Sequence, residues 1–443
     1  MAGETVVVGL GRSNLAAVRY LISQGWEPLV LDTREQPPLL AELPEGVEFR
    51  SGSLDSFADL LAQAGELIVG PGIAVATPAI AAAAARGVPV IGDIELFVRE
   101  ARAPVVAVTG SNGKSTVTTL VGLMGSAAGI RTVAGGNLGT PALELLNSPQ
   151  ELYVLELSSF QLETTFSLRA RACTILNVTE DHMDRYNFDL EKYAAAKRII
   201  YRNAEGIVCN RDDHRTLPPE GFAGSLITFG ADPSGYGLVT DSDGTWLVKD
   251  SRRVLNAGEM KIAGRHNQLN ALAAMALADM AGISEDAQLK VLREFPGLEH
   301  RCQLVAEIGG VRYYNDSKAT NVGSTLAAVD GLSSDLKGSL YLLAGGIGKG
   351  QNFAPVGALL GKQVRRMFCY GRDAAELLRL GPEAVPARDM EDALRMASAA
   401  AVPGDVVLLA PACASMDMFR NFEERGEVFA SLVRSLGGGQ ANG

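Results

Sequence analysis

The sequence has few of the residues that mark secreted or membrane-spanning proteins. Its five cysteines lie far apart and form no C-x-x-C pair, which is typical of a reduced protein with structural thiols. No apolar run reaches about 18 residues, the length that suggests a transmembrane helix. No basic segment followed by an apolar one precedes the first predicted strand. We therefore expect a cytoplasmic protein.

Positive charge is also scarce. Lysine and arginine number 40 against 51 aspartates and glutamates, which gives a net charge of −11. This balance disfavours binding to nucleic acid or to an anionic membrane surface, and it favours solubility. The rest is ordinary globular composition, with 47% hydrophobic and 21% charged residues in a chain of 443. A chain of that length predicts about two to four domains.

The most informative segment present is a glycine-rich turn between an apolar strand and a helix. The run Val105–Val108 predicts a buried parallel strand, and a helical pattern extends from Ser115 to Leu123. Glycines let the backbone wrap phosphates, the helix N-terminus adds a positive field, and Lys114 can reach the terminal phosphates. Val108 stands where the common pattern has its first glycine, so a purely structural turn is the alternative to ATP binding.

Alternating strands and helices predict an α/β protein of three domains. The strand Thr5–Val8, the turn Gly9–Gly11 and a helix resemble the first βαβ unit of a Rossmann-like domain, although Asn14 replaces the third glycine. A central P-loop ATPase domain with a parallel sheet follows, and its segment 230–262 predicts a β-rich insertion. The C-terminal domain is again Rossmann-like. The predicted limits are 1–92, 93–297 and 298–443.

Polar side chains follow several predicted strands, which is where ligands bind in open α/β sheets. Glu156 comes after Tyr153–Leu155 and is a candidate Mg²⁺ ligand, with a solvated or capping glutamate as the alternative. His182 is a candidate metal ligand or phosphate contact, or else a structural histidine. Lys197 lies in a helical stretch whose composition alone predicts a surface charge.

Further candidates surround the predicted junction of the last two domains. Asn270 can contact a nucleotide or cap its helix, and Arg301 can clamp a phosphate or form an interdomain salt bridge. Lys318 can stabilise a phosphoryl group or an oxyanion, and Asp316 can orient an amine or a ribose. Convergence of such groups at strand ends predicts a site for a small anionic substrate. Two more strand-end loops contribute a cation and a hydroxyl, at Gly345–Lys349 and Pro411–Ser415.

The order and spacing of eight motifs are those of a known family. They are Thr109–Ser115, Gly135–Gly139, Glu156–Leu162, Thr179–Asp184, Gly264–Asn267, His300–Arg301, Asn315–Asn321 and Ser415–Asp417. Over essentially its whole length the chain resembles the ATP-dependent Mur ligases of peptidoglycan synthesis. Within that family it is most similar to members that add D-glutamate to UDP-N-acetylmuramoyl-L-alanine.

The resemblance implies a role for each candidate residue. Catalytic roles fall to Lys114, His182, Lys197 and Lys318. ATP contacts fall to Gly110, Asn112, Gly113, Lys114, Ser115, Thr116, Asn270, Arg301 and Asp316. Two Mg²⁺ ions are expected, with Ser115, Glu156, His182 and Lys197 as their ligands. Lys197 matches a family lysine that becomes carbamylated. The residues expected to bind the UDP-sugar are Ser13, Thr33, Arg34, Gly72 and Asn137. The residues expected to bind D-glutamate are Thr320, Lys349, Ser415 and Phe422.

The resemblance also implies the chemistry, in which ATP phosphorylates the alanyl carboxylate and the amine of D-glutamate attacks the acyl phosphate. A monomer is expected. Two positions depart from the family pattern. Ile347 stands where we expect an acidic residue, so a partner for Lys349 or a ribose contact is expected to be missing. Arg12 is bulkier and more charged than the usual neighbour of the uracil site.

Three other functions compete with this one. Folylpolyglutamate synthase shares the ATPase core and the ligation chemistry, but it starts at its ATPase domain, whereas a Gly9–Gly11 domain precedes the phosphate loop here. An NAD-binding oxidoreductase would use the first βαβ unit and Asp32, but Asn14 weakens the fingerprint and the phosphate loop stays unexplained. A nucleotide-gated binding protein would have no need for so many polar strand ends.

Overall fold

The computed structural model describes residues 4–262, 264–333 and 336–438, and these form the predicted α/β fold. Their strands make up three sheets that are parallel for the most part. The predicted strands are present, with ends that differ by one or two residues. The strand predicted at 172–177, for example, ends at Ile175. None of the described helices is long and apolar enough to cross a membrane.

The N-terminal sheet is parallel throughout. Its elements are β1 (Thr5–Val8), α1 (Arg12–Ser23), β2 (Leu29–Asp32), β3 (Phe49–Ser51), α2 (Ala58–Gln63), β4 (Glu66–Val69), α3 (Pro78–Ala85), β5 (Val90–Ile91) and α4 (Asp93–Glu100). The strand order is β3-β2-β1-β4-β5, so the chain reverses direction across the sheet beside β1. In such sheets the carboxyl ends of the strands at this reversal form the ligand crevice.

Asn14 explains how the first turn closes without its third glycine. Its buried side-chain amide donates to the carbonyls of Val8, at 2.9 Å, and Gly9, at 2.8 Å. A Cβ atom at Gly70 would lie 3.0 Å from that amide nitrogen, so the neighbouring strand end also approaches closely. Asn14 is therefore a packing residue that ties the turn to β1.

The central sheet carries the phosphate loop. Its elements are β6 (Val105–Thr109), α5 (Lys114–Ala127), β7 (Thr132–Gly136), β8 (Leu152–Glu156), α6 (Ser159–Leu162), β9 (Ala172–Ile175), α7 (Leu190–Arg198), β10 (Gly206–Asn210), β11 (Ser225–Phe229), β12 (Tyr236–Asp241), β13 (Gly244–Lys249), β14 (Arg252–Asn256), α8 (Arg265–Met280) and α9 (Glu285–Glu294). The order is β14-β13-β12-β11-β10-β9-β6-β8-β7. The antiparallel strands β12 to β14 form the predicted β-rich insertion.

The third sheet has one antiparallel edge strand. Its elements are β15 (Gln303–Ile308), β16 (Val311–Asn315), α10 (Val322–Ser333), β17 (Leu340–Gly345), α11 (Ala354–Gly357), β18 (Arg366–Tyr370), α12 (Ala374–Leu378), β19 (Ala384–Pro386), α13 (Met390–Ala400), β20 (Val406–Leu409) and α14 (Phe422–Gly438). The order is β15-β16-β20-β17-β18-β19, with β15 antiparallel to β16. Apolar side chains pack on both faces of this sheet, which form two separate clusters.

The chain forms two compact units that are not continuous in sequence. The first comprises 1–178, 191–256 and 269–293, and the second comprises 179–190, 257–268 and 294–443. The short segment 179–190, which follows β9 of the central sheet, therefore packs with the C-terminal sheet.

Candidate functional site

The phosphate loop joins β6 to α5 as the sequence predicts. Gly113 has a φ of +85°, and a Cβ atom there would lie 2.3 Å from Oδ1 of Asn270, so only glycine fits. The ammonium of Lys114 donates to the carbonyls of Gly110 and Ser111, both at 2.9 Å. Its cation is thus held over the loop where terminal phosphates would bind.

The N-terminal halves of two helices add further candidates. Ser115 and Thr116 are buried in the first turn of α5. Asn270 is also buried, and it lies in the second turn of α8 because that helix begins at Arg265. The alternative that Asn270 caps its helix is therefore wrong.

Lys197 contradicts the expectation of a surface charge. Its side chain is 1% exposed, and its ammonium donates to the carbonyl of Gly110 at 2.9 Å. It also lies 4.3 Å from the centroid of the Tyr193 ring, which is one helical turn earlier on the same face of α7. Lys114 and Lys197 therefore share one carbonyl oxygen, and their two nitrogens lie no more than twice 2.9 Å apart.

Glu156 is the last residue of β8, and it is 2% exposed. Its Oε1 accepts a hydrogen bond of 2.7 Å from the side-chain amide of Asn137, which directly follows β7. These two strands approach closely, since a Cβ atom at Gly136 would lie 2.6 Å from the Glu156 carbonyl. The buried carboxylate is neither a solvated residue nor a helix cap, and a proposed substrate contact holds it in place.

The N-terminal candidates lie at the carboxyl ends of β1, β2 and β4. Burial opposes ionisation of Asp32, but hydrogen bonds from the Arg34 side chain and from the Leu10 and Arg34 N–H groups lower its pKa to about 2. This carboxylate therefore closes the turn between two strands, which leaves the NAD-binding alternative without its usual ribose acceptor. Arg12 reaches the carbonyl of Gly139 at 3.4 Å. Thr33 and Gly72 are exposed beside the same strand ends.

Ser13 connects this region to a central-domain motif. It hydrogen-bonds the carboxyl group of Asp93, a residue that is 1% exposed and whose pKa is raised by burial. Oδ2 of Asp93 accepts from the side-chain amide of Gln161 at 3.1 Å. A buried acid thus joins the start of α1 to the start of α6.

The loop after β16 brings several candidates together in the second compact unit. Burial raises the pKa of Asp316 to about 7, against the opposing effects of Arg301, the N–H of Cys302 and Arg425. The ammonium of Lys318 lies 3.8 Å from the centroid of the Phe422 ring. Lys318 and Phe422 are therefore in contact, and the charge of Arg301 acts on the Asp316 carboxyl group.

The remaining candidates of this unit lie in nearby loops. The N–H of Thr320 donates to the carbonyl of Lys318 at 2.7 Å, and Ser415 is buried in the turn after β20. His182 has a φ of +54° and a side chain that is 42% exposed beside Asp181. Lys349 forms an ion pair of 2.5 Å with Asp181, so the expectation of a missing acidic partner is wrong.

Sequence reasoning overlooked Arg425. Its side chain is fully buried and donates to Oγ and the carbonyl of Ser317, at 2.9 and 2.7 Å, and to the carbonyl of Cys413 at 3.1 Å. It therefore ties together the loops that carry Lys318 and Ser415. The pattern contains a signal for it, because Arg425 lies one turn before the buried Phe429 on the same face of α14.

Three family models match the chain in order. They are a Mur ligase MurD-like N-terminal domain at 3–92, a Mur ligase middle domain at 108–278 and a Mur ligase glutamate ligase domain at 300–413. Relatives named UDP-N-acetylmuramoylalanine–D-glutamate ligase, from Escherichia coli K12 and Shigella boydii, are each 53% identical over 435 residues, which is 98% of both chains.

Solved structures share the fold at lower identity. A UDP-N-acetylmuramate-alanine ligase from Thermotoga maritima has a TM-score of 0.62 at 20% identity, over 98% of this chain and 100% of that one. The MurF ligase of the same organism, in complex with ADP, has a TM-score of 0.62 at 15% identity, over 98% and 96%. These matches extend over all three predicted domains, and the chain belongs to the Mur ligase family.

Proposed function

We propose that this chain is the ligase that adds D-glutamate to UDP-N-acetylmuramoyl-L-alanine, with hydrolysis of ATP to ADP and phosphate, in peptidoglycan synthesis. The observation that carries the proposal is the 53% identity, over 98% of both chains, to relatives named for that reaction. The geometry is consistent with it, since the chain has a phosphate loop, the buried carboxylate of Glu156, and the cations Lys318 and Lys349 in loops of the C-terminal sheet.

The chemistry needs an activated carboxyl group, because a carboxylate oxygen is a poor leaving group. In the first step the alanyl carboxylate attacks the γ-phosphorus of ATP, and ADP leaves. In the second, the unprotonated amine of D-glutamate attacks the acyl carbon, phosphate leaves, and the nitrogen loses one proton as the amide forms. Lys114 and the loop N–H groups stabilise the phosphoryl charge in the first step, and Lys318 is proposed to stabilise the oxyanion of the second.

The amino-acid contacts and the nucleotide contacts fall to separate residues. We assign Thr320, Lys349, Ser415 and Phe422 to D-glutamate. Asn270, Arg301 and Asp316 are assigned to the nucleotide. Ser13, Thr33, Arg34, Gly72 and Asn137 are assigned to the UDP-sugar. The limits 1–92, 93–297 and 298–443 remain our proposal for the three domains.

The proposed Mg²⁺ site fits the donors that are present. Ser115 and Glu156 offer hydroxyl and carboxylate oxygens, the ligands that Mg²⁺ prefers, and Mg²⁺ commonly takes only one or two carboxylates plus phosphates. No group of three His, Cys, Asp or Glu side chains suited to a metal occurs among the described residues, so substrate phosphates would have to complete the proposed site. His182 is the proposed nitrogen ligand. Bound Mg²⁺ would neutralise phosphoryl charge.

Carbamylation of Lys197 is supported by its surroundings. Two ammonium groups at one carbonyl repel each other, and conversion of Lys197 to an anion turns that repulsion into attraction for Lys114. The neutral amine attacks CO₂ and loses a proton, which yields the carbamate. We further propose that the enzyme is a cytoplasmic monomer that binds neither nucleic acid nor membrane.

The test is ADP release in the presence of Mg²⁺ and UDP-N-acetylmuramoyl-L-alanine with a panel of amino acids. We expect turnover with D-glutamate and little with L-glutamate, L-alanine or meso-diaminopimelate. Equal rates across the panel would refute the substrate assignment. Lys114→Ala should abolish turnover, and Lys290→Ala, at an exposed lysine of α9, is the matched control.

A further inference from the structure

The ion pair between Lys349 and Asp181 joins residues from distant parts of the chain. Nζ of Lys349 lies 2.5 Å from Oδ1 of Asp181, and the two side chains are 14% and 10% exposed. Lys349 follows β17 in the C-terminal sheet, whereas Asp181 lies in the segment 179–190. Both belong to the same compact unit, so the pair is a feature of that unit alone.

Asp181 is held in place by groups other than Lys349. Its Oδ2 accepts from the side-chain amide of Asn321 at 3.3 Å, and its Oδ1 accepts from the N–H of His182 at 3.0 Å. Lys349, in contrast, has Asp181 as its sole side-chain partner among the residues that the structure describes. Its backbone adopts a φ of +55°. The carboxylate is thus the fixed member of the pair, and the ammonium is positioned by it.

The loop of Lys349 contains no acid that could replace Asp181. Ile347 exchanges two backbone hydrogen bonds of 2.9 Å with Ala414 and fixes the loop through its main chain. Asp373 is already committed, since it accepts from the N–H of Gly348 at 2.7 Å and pairs with Arg372. Position 347 therefore supplies loop geometry, and the negative charge that orients Lys349 comes from Asp181.

We propose that Asp181 is a positioning residue for the D-glutamate site, acting through Lys349. The inference rests on the proposed function. An ammonium has three N–H donors, and the bond to Asp181 uses one of them and fixes the direction of the other two. The substrate carboxylate then meets a pre-oriented cation, so little side-chain entropy is lost on binding. Without Asp181 the flexible lysine would have to be ordered by the substrate itself.

The experiment compares Asp181→Asn with the wild type in the ADP-release assay. The amide keeps the shape, and its one oxygen can still accept from Asn321, but the side chain has no charge and its NH2 group cannot accept from Lys349 or from the N–H of His182. We expect the KM for D-glutamate to rise roughly 10- to 100-fold, the loss of one charge-assisted hydrogen bond, while the KM for ATP stays within about twofold. Asp181→Glu keeps the charge and should recover part of the loss. Asp184→Asn, at an exposed carboxylate of the same segment, should leave both KM values unchanged.

A double-mutant cycle separates positioning from a general structural effect. If Asp181 acts through Lys349, the KM for D-glutamate of Asp181→Asn/Lys349→Met should equal that of Lys349→Met alone. Independent, multiplicative effects would overturn the proposal, as would an equal rise in the KM for ATP. A fall in the KM for D-glutamate in Asp181→Asn would show that Asp181 competes with substrate. Should the wild type prefer another amino acid, the proposed function fails and the same cycle is run with that amino acid.

Discussion

The shared carbonyl of Gly110 allows the effect of Lys197→Met to be worked out. Methionine fills similar space but removes the nitrogen, so the charge-assisted hydrogen bond to the Gly110 carbonyl is lost, at about 1.5–3 kcal/mol, together with the cation–π contact to Tyr193. The repulsion from Lys114 is lost as well. At a separation of twice 2.9 Å, the largest that the shared carbonyl allows, and an effective dielectric constant of about 20, that repulsion is roughly 3 kcal/mol. The two effects oppose each other, so the free energy of unfolding should change by less than about 2 kcal/mol.

Bicarbonate should affect the thermal stability of the wild type and of Lys197→Met differently. In the wild type, the proposed carbamylation of Lys197 would replace repulsion of Lys114 by attraction, so the Tm should rise when bicarbonate and Mg²⁺ are added. Lys197→Met should show no such rise, whereas Lys192→Met, at an exposed lysine of the same helix, should respond like the wild type. The assay is thermal unfolding with and without ¹³C-bicarbonate, together with NMR detection of a carbamate carbon.

Two outcomes would refute this reasoning. If Lys197→Met destabilises the protein by more than about 4 kcal/mol without bicarbonate, the ammonium is a stabilising group and the repulsion has been overestimated. An identical bicarbonate response in the wild type and Lys197→Met would place the effect elsewhere in the molecule.

Further predictions concern three charged or titratable side chains of the second compact unit. Arg425→Met should lower the free energy of unfolding by about 3 kcal/mol or more in urea titrations, because it strands the acceptors of Ser317 and Cys413. Burial raises the pKa of Asp316 from 3.8 to about 7, so the folded protein binds more protons than the unfolded chain between those values. Stability should therefore fall as the pH rises through that window, and Asp316→Asn should flatten the fall; an unchanged slope would contradict it. Burial lowers the pKa of His266 from 6.5 to about 4, so here the unfolded chain binds more protons. Stability should drop as the pH falls from about 6.5 to about 4, and His266→Gln should drop less in the same titration.

The sequence predicted local features well because local physics determines them. Apolar runs such as Val105–Val108 are buried on both faces of a parallel sheet, so strand and turn could be located without any tertiary information. The position of Glu156 at a strand end could be predicted because the continuous apolar run Tyr153–Leu155 comes directly before it. The β-rich insertion was visible from short alternating segments.

The main failure of the predictions from sequence concerned which charged side chains are buried. Composition marks α7 as polar, yet Lys197 shares a face with the buried Tyr193, and a face rather than an average decides what is covered. The partner of Lys349 could not be inferred, because Asp181 precedes it by 168 residues and comes from a segment that follows a different sheet. The three-dimensional path of that segment, rather than any local pattern, creates the pair.

Each compact unit is built from segments that are not consecutive in the sequence, and this affects how the chain can be cut into fragments. A fragment cut at the linear boundary, 298–443, would retain Lys349, Lys318 and Ser415 but would lack segment 179–190 and with it Asp181. The proposed amino-acid site is thus not a self-contained module that recombination could move by joining whole domains end to end. Any transplant of this site into another ligase has to carry two pieces of chain, one from the middle of the sequence and one from its end.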